Sequence, residues 1–211
     1  VDQNALPWRA IGRVQTELGG RCTGFLIAPR SVLTAAHCIY YRRSRHFLQP
    51  GSVHFVIGYA RGSFTSHARI VRMDISPGYD PAHEMATAGM DWALLTLDTA
   101  LGTPDRILKL FEAPLPLASP LLLGGYERDR EELMEADLHC KLTGWSGDGA
   151  NNDLMRHDCS ATSGSSGAPV LARDADGAWI VVGLQIIAVV GRAEGFAVPS
   201  YAIKFNHLIQ P

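Results

Sequence analysis

The stretch Ser160-Ala161-Thr162-Ser163-Gly164-Ser165-Ser166-Gly167-Ala168-Pro169-Val170 sets two glycines among four serines directly ahead of an apolar run, Ala168–Leu171. A Ser/Gly tether fluctuates freely, whereas an apolar run following at once belongs to a packed strand. The stretch therefore reads as a tight turn that presents a hydroxyl on a backbone fixed from behind. Gly164 lets two amides converge, its own and that of Ser166, where they could stabilise an oxyanion. Ser163, Ser165 and Ser166 all remain rival nucleophiles at this point.

The surroundings of that turn are a series of short β-type runs separated by turn residues. Downstream and upstream of it lie Leu121–Gly124, Met134–Leu142, Leu154–Cys159, Ala168–Leu171, Trp179–Ile187 and Phe196–Val198. A first set reads Ile11–Leu18, Cys22–Ile27, Ser31–Thr34, Val53–Gly58, Ala68–Asp74 and Trp92–Leu97, with a Pro-punctuated connector from Asp98 to Pro120 between the two sets. Six-stranded antiparallel sheets tend to close, because closure removes exposed edges. The fold class expected is all-β: two six-stranded antiparallel β-barrels, residues 1–105 and 106–211. Weak helical spacing of apolar residues in Tyr201–Ile209 predicts a C-terminal helix.

Composition agrees and removes several function classes. Of 211 residues, 46% are hydrophobic and 19% charged, enough apolar surface for a sizeable core and too much for disorder. Glycine (21) and proline (12) favour many short strands over long helices. A net charge of −2 offers no basic excess for nucleic acid. The longest apolar stretch, Trp179–Val190, is interrupted by Gly183 and Gln185 and is too short to span a bilayer, so no membrane partner is expected. Four cysteines without a CxxC pair most simply as Cys22–Cys38 and Cys140–Cys159, each closing a loop worth about 3 kcal/mol. Disulfides need an oxidising compartment. With Val1 in place of Met and no basic-then-apolar leader, the expectation is a secreted or periplasmic protein already trimmed.

Two further segments carry chemistry. In Thr34-Ala35-Ala36-His37-Cys38, small residues precede a histidine that a disulfide at Cys38 would hold in place. A general base needs such fixity, since a misplacement of about 1 Å can cost two orders of magnitude in rate. A half-buried structural histidine fits this segment equally well. In Asp91-Trp92-Ala93-Leu94-Leu95 a carboxylate heads an apolar run, and it must cap a turn or accept from a buried donor, since an unpaired buried charge is costly. Its neighbours favour the buried donor, such as an imidazole N–H. The other histidines show no metal pair at helical spacing, so neither a metal nor a cofactor is expected. The Glu- and Asp-rich Glu127–Asp137 and the basic Tyr40-Tyr41-Arg42-Arg43-Ser44-Arg45 read as exposed segments, the latter close enough to His37 to tune binding of acidic peptides.

Taken in order, His, Asp and Ser follow the chain order of the chymotrypsin fold. The segments at 34–38, 91–95 and 164–169 resemble the three signature segments of trypsin-like serine endopeptidases, from about Arg13 to the C-terminus. The resemblance implies that His37 is the general base, Asp91 its orienting partner and Ser166 the nucleophile, with Gly164 and Ser166 forming the oxyanion hole. Only Ser166 is both followed by Gly and preceded by Gly two positions back. Ser165 stands where the animal digestive branch has an Asp that pairs with the N-terminal amine, so that ion pair cannot form, and packing and hydrogen bonds are expected to hold the loop. The pattern around Arg156-His157-Asp158-Cys159 is closest to the bacterial glutamyl-endopeptidase branch. Gly125-Tyr126, not Gly144-Trp145, is expected to lie in the opening strand of the second barrel.

By the same resemblance the first specificity pocket draws on Ser160, Ala161, Gln185, Ile186, Ile187 and Ala188. Ser160 in place of an Asp argues against tryptic cleavage, and the small or apolar walls predict a neutral P1 side chain. The expected partner is a polypeptide substrate, acted on by a monomer. The alternatives are a catalytically idle homologue that binds through the old cleft, and an esterase using the same residues.

Overall fold

A computed structural model describes residues 1–126, 133–147, 152–162, 164–189 and 191–205. The first sheet comprises β1 (Ile11–Thr16), β2 (Arg21–Ala28), β3 (Ser31–Thr34), β4 (Val53–Ile57), β5 (Ser66–Ile75) and β6 (Ala93–Leu97). These close into an antiparallel barrel in the order β1-β2-β3-β6-β5-β4. The second comprises β7 (Pro120–Tyr126), β8 (Met134–Ser146), β9 (Leu154–His157), β10 (Pro169–Arg173), β11 (Trp179–Ala188) and β12 (Gly195–Pro199). Its order is β10-β7-β8-β9-β12-β11, and the β10–β11 pairing closes the ring. Read from the first strand of each ring, the two orders are identical, so one topology occurs twice. The fold is all-β with two six-stranded barrels, as expected from the sequence.

Three apolar cores account for the strand sequences. Val14, Leu26, Val32, Phe55, Ile70 and Leu95 fill the first barrel. Leu123, Leu142, Met155, Val170 and Val182 fill the second. A third cluster, including Trp8, Phe25, Leu33, Leu171, Val181 and Leu184, lies between them. Adjacent residues such as Phe25 and Leu26, or Val170 and Leu171, therefore point to opposite sides of one strand and are both buried. Strands at the seam read as continuous apolar runs for this reason.

Several elements differ from the sequence expectation. The segment expected to be an exposed basic loop is a small hairpin, Tyr40–Tyr41 paired with His46–Phe47. Within the connector, Lys109–Leu110 adds a parallel edge to β11. Gly125 and Tyr126 end the opening strand of the second barrel, and Gly144–Trp145 falls on its neighbour β8. The C-terminal helix is corrected over its described part: Ser200–Ala202 is a single 3-10 turn, and Ile203–Phe205 has no regular structure. The apolar side chains that suggested a helix instead plug the seam from an irregular path, with Ile203 buried and Phe205 edge-on to Trp92. The remainder of Tyr201–Ile209, like most of Glu127–Asp137, lies outside the described residues. Both expected disulfides form, Cys22–Cys38 and Cys140–Cys159. Among the described residues no helix is long and apolar enough to cross a membrane.

Candidate active site

Strand pairing brings His37 and Asp91 together. The end of β3 runs antiparallel to the start of β6, with Thr34 opposite Ala93. A residue three positions beyond β3 thus meets one two positions before β6. His37 sits in a 3-10 turn, Ala36–Ile39, between the fully buried Ala35 and Ala36 and the bridged Cys38. Asp91 grips it twice. Its Oδ1 accepts the His37 backbone N–H at 2.9 Å, and its Oδ2 lies 2.6 Å from Nδ1. A carboxylate oxygen only accepts, so Nδ1 carries a proton and, in the neutral ring, Nε2 is the acceptor. Tyr79 is buried beside Asp91, and burial, followed by the Asp91 charge, pushes its hydroxyl pKa far above the ordinary value.

The serine-bearing turn is anchored from the opposite barrel by one residue, Thr23 on β2. Its Oγ1 donates to the Gly164 carbonyl at 2.9 Å and accepts the Tyr126 N–H at 2.9 Å. Its backbone N–H donates to the Ser166 carbonyl at 2.9 Å, and its own carbonyl accepts from Thr34 Oγ1 at 2.8 Å. Gly167 lies against this junction at φ +82°, where a Cβ would overlap the Thr23 carbonyl and Thr34 Oγ1. Both the backbone angle and the space demand glycine there. Ser165 is buried, and its hydroxyl donates to the Thr162 carbonyl at 2.7 Å, so hydrogen bonds occupy the place of a carboxylate. Gly164 takes φ +103°, and among the described residues neither its amide nor that of Ser166 donates a hydrogen bond. Ser163 lies outside the described residues.

His37, Asp91 and Ser166 line one cleft of about 260 Å³ at the seam. Its second-barrel wall is Thr162, Ile186, Ile187 and Ala188, and its first-barrel wall includes Arg42, Glu84, Met85 and Ala88. A register shift between Gln185 and Ile187 in the β11–β12 pairing falls within this wall. Ser160, Ala161 and Gln185 do not join it. Ser160 is exposed, with its amide donated to Asp137 Oδ2 at 2.8 Å, and Ala161 packs against the second core.

Gln185 is fully buried and turned into the barrel, where it completes a chain that the sequence did not reveal. The Cys159 N–H donates to His157 Nδ1 at 3.2 Å, which leaves the ring proton on Nε2, 2.7 Å from Gln185 Oε1. Gln185 Nε2 then donates to the Ile187 carbonyl at 2.8 Å. A buried neutral imidazole thus braces the cleft wall from behind. Burial pushes the His157 pKa below 6.5, partly opposed by the bond to Gln185. Thr23, Glu84 and Met85 were likewise invisible beforehand, since none stands in a motif, whereas Arg42 belongs to the basic segment whose nearness to His37 the sequence did suggest. Among the described residues one cluster has metal-ligand types, Cys22, His37 and Cys38, and its two sulfurs are joined to each other.

A family model described as trypsin-like peptidase domain matches residues 22–184. A glutamyl endopeptidase of Bacillus licheniformis is 43% identical over 53 residues, 25% of this chain and 16% of that protein's length. Among solved structures, a Glu endopeptidase in complex with MPD superposes with a TM-score of 0.75 at 19% identity, covering 95% of this chain and 88% of that one. Human heparin binding protein superposes with a TM-score of 0.70, also at 19% identity, covering 93% and 88%. Both superpositions establish the fold.

Two outcomes follow from the supports around the cleft. Thr23→Val keeps the shape of the side chain but strands the Tyr126 N–H and the Gly164 carbonyl. It should lower stability by about 1–3 kcal/mol in chemical denaturation, with Thr23→Ser losing less. His157 titrates lower in the fold than in the unfolded chain, so the unfolded state takes up its proton first as pH drops. The contribution is intact above 6.5 and declines as pH falls below 6.5 toward the folded pKa. Denaturation midpoints measured across that range should fall less steeply for His157→Gln than for the wild-type chain.

Proposed function

Because the chain belongs to the trypsin-like peptidase family, we propose that it is a serine endopeptidase acting through His37, Asp91 and Ser166. The observation that carries this reading is the double grip of Asp91 on His37 at the edge of a cleft that Ser166 also lines. With its proton confined to Nδ1, His37 offers Nε2 as the base that takes the Ser166 hydroxyl proton. Ser166 Oγ attacks the peptide carbonyl, and the amides of Gly164 and Ser166 stabilise the oxyanion. His37 then returns the proton to the leaving amine as the acyl-enzyme forms, and water, activated by the same imidazole, releases the acid. Asp91 fixes the tautomer and stabilises the imidazolium without itself taking the proton.

The P1 side chain lies against Ile186, Ile187 and Ala188, and among the described residues of that wall no carboxylate is available to bind Lys or Arg. The Bacillus relative is named for glutamyl cleavage, but among its described residues this wall presents no cation, and Gln185 is committed to His157 and Ile187. A neutral P1 residue fits it best. Two disulfides support an oxidising setting, outside the cell or in the periplasm. It acts as a monomer on polypeptides.

Ser166→Ala is expected to abolish peptide turnover and labelling by a fluorophosphonate probe, with a loss in kcat on the order of 10⁶-fold. Asp91→Asn should lower kcat by about 10⁴-fold. Labelling that survives Ser166→Ala would refute the assignment, and a wild-type chain that neither turns over peptides nor reacts with the probe would point to an idle homologue.

A further inference from the structure

The two walls of the cleft differ in charge. The second-barrel wall is neutral, whereas the first-barrel wall carries Arg42 and Glu84, joined by a bond from Arg42 Nη2 to Glu84 Oε2 at 2.7 Å. Arg42 belongs to the hairpin that leaves the His37 turn. Tyr40 and Phe47 pair across its base with their rings edge to face, and Phe47 and Leu48 pack on the first core. The tip, Arg42 to Arg45, is thereby held beside the cleft. Arg43 and Arg45 are exposed and, among the described residues, form no ion pair. On the segment that Arg42 reaches, Asp80 is bonded by His83 at 2.8 Å and Glu84 by Arg42. The hairpin thus carries three guanidiniums, of which Arg42 is bonded to Glu84, in a chain whose net charge is −2.

We propose that this wall recognises an acidic residue of the polypeptide, outside the P1 position, with Arg42 as its direct partner and Arg43 and Arg45 steering the approach. Glu84 holds Arg42 in its binding position until a substrate carboxylate replaces it. The exchange is cheap because the resident pair is exposed, with side chains 76% and 33% accessible, and such pairs contribute little. Planar guanidinium matches the incoming carboxylate in geometry as well as charge. The exposed guanidiniums of the hairpin attract acidic segments and repel basic ones. This inference rests on the peptidase reading of the same cleft, to which it adds a second determinant of specificity.

The test uses labelled peptides that share one neutral P1 residue and carry a single Glu or Gln at successive flanking positions. Binding to the Ser166→Ala chain is read by fluorescence anisotropy, and kcat/KM is read on the wild-type chain. At one or more positions Glu should be favoured over Gln by about two- to fivefold, and the ratio should shrink as salt is raised. Arg42→Gln should bring it toward one, and Glu84→Gln should increase it. A Glu-to-Gln ratio of one at every position, or a ratio indifferent to both substitutions, would overturn the proposal. Acid-selective binding without turnover by the wild-type chain would instead refute the peptidase reading and leave the acidic recognition standing.

Discussion

Thr23 holds the reactive turn in place. Its backbone and hydroxyl make four hydrogen bonds, to Gly164, Ser166, Tyr126 and Thr34, and so join the serine turn and the opening strand of the second barrel to two strands of the first. The proposed nucleophile on one barrel and the proposed base on the other would work only with the distance between them fixed, since rate is steeply sensitive to such misplacement. The apolar seam supplies adhesion but no direction, because burial is proportional to area and indifferent to small slides. Hydrogen bonds supply the register. Gly167 is required by the same junction, since any Cβ there would push the turn off Thr23.

Two supports of different chemistry then set the walls of the cleft. On the first barrel Asp91 holds His37 by two charge-assisted bonds, and the Cys22–Cys38 bridge ties the adjoining turn to β2, the strand that carries Thr23. On the second, a neutral imidazole passes hydrogen bonds from Cys159 through His157 and Gln185 to Ile187. Protonating that ring would remove its acceptor from Cys159 and bury a charge among apolar side chains. The wall is therefore built for conditions in which His157 stays uncharged.

Most of the architecture was legible because strand runs and turn residues alternate along the chain, and because three short segments carry a recognisable order. The limits of legibility have physical causes. Period-two patterning vanishes in Phe25-Leu26 and Val170-Leu171, since both faces of those strands are buried, so runs could be located but not assigned a face. The tail at Ile203 and Phe205 has helical spacing, but apolar side chains filling a seam from an irregular path leave the same spacing. His37, Asp91 and Ser166 could be read from local sequence because each sits in its own motif. Gln185 could be placed near the cleft but not oriented: its direction depends on His157, 28 residues away. Ser160 likewise depends on Asp137, which draws its amide outward.

That last pair of cases bears on how this cleft selects what it binds. A polar side chain at the expected pocket position could serve a ligand only if the protein left it unsatisfied, because a buried amide keeps its hydrogen bonds wherever it finds them. Gln185 has both ends engaged internally, so on the proposed reading the second-barrel wall meets a ligand through Thr162, Ile186, Ile187 and Ala188 and discriminates chiefly by size and shape. Such apolar contacts separate side chains by only about 1–3 kcal/mol per methylene. Charge discrimination has to come from groups that remain in water and can exchange partners. On this cleft those are Arg42 and Glu84, both accessible and both bound to nothing more permanent than each other. Mostly apolar side chains on one barrel and an exposed, exchangeable ion pair on the other are what the hydrogen-bond pattern leaves for the proposed selection.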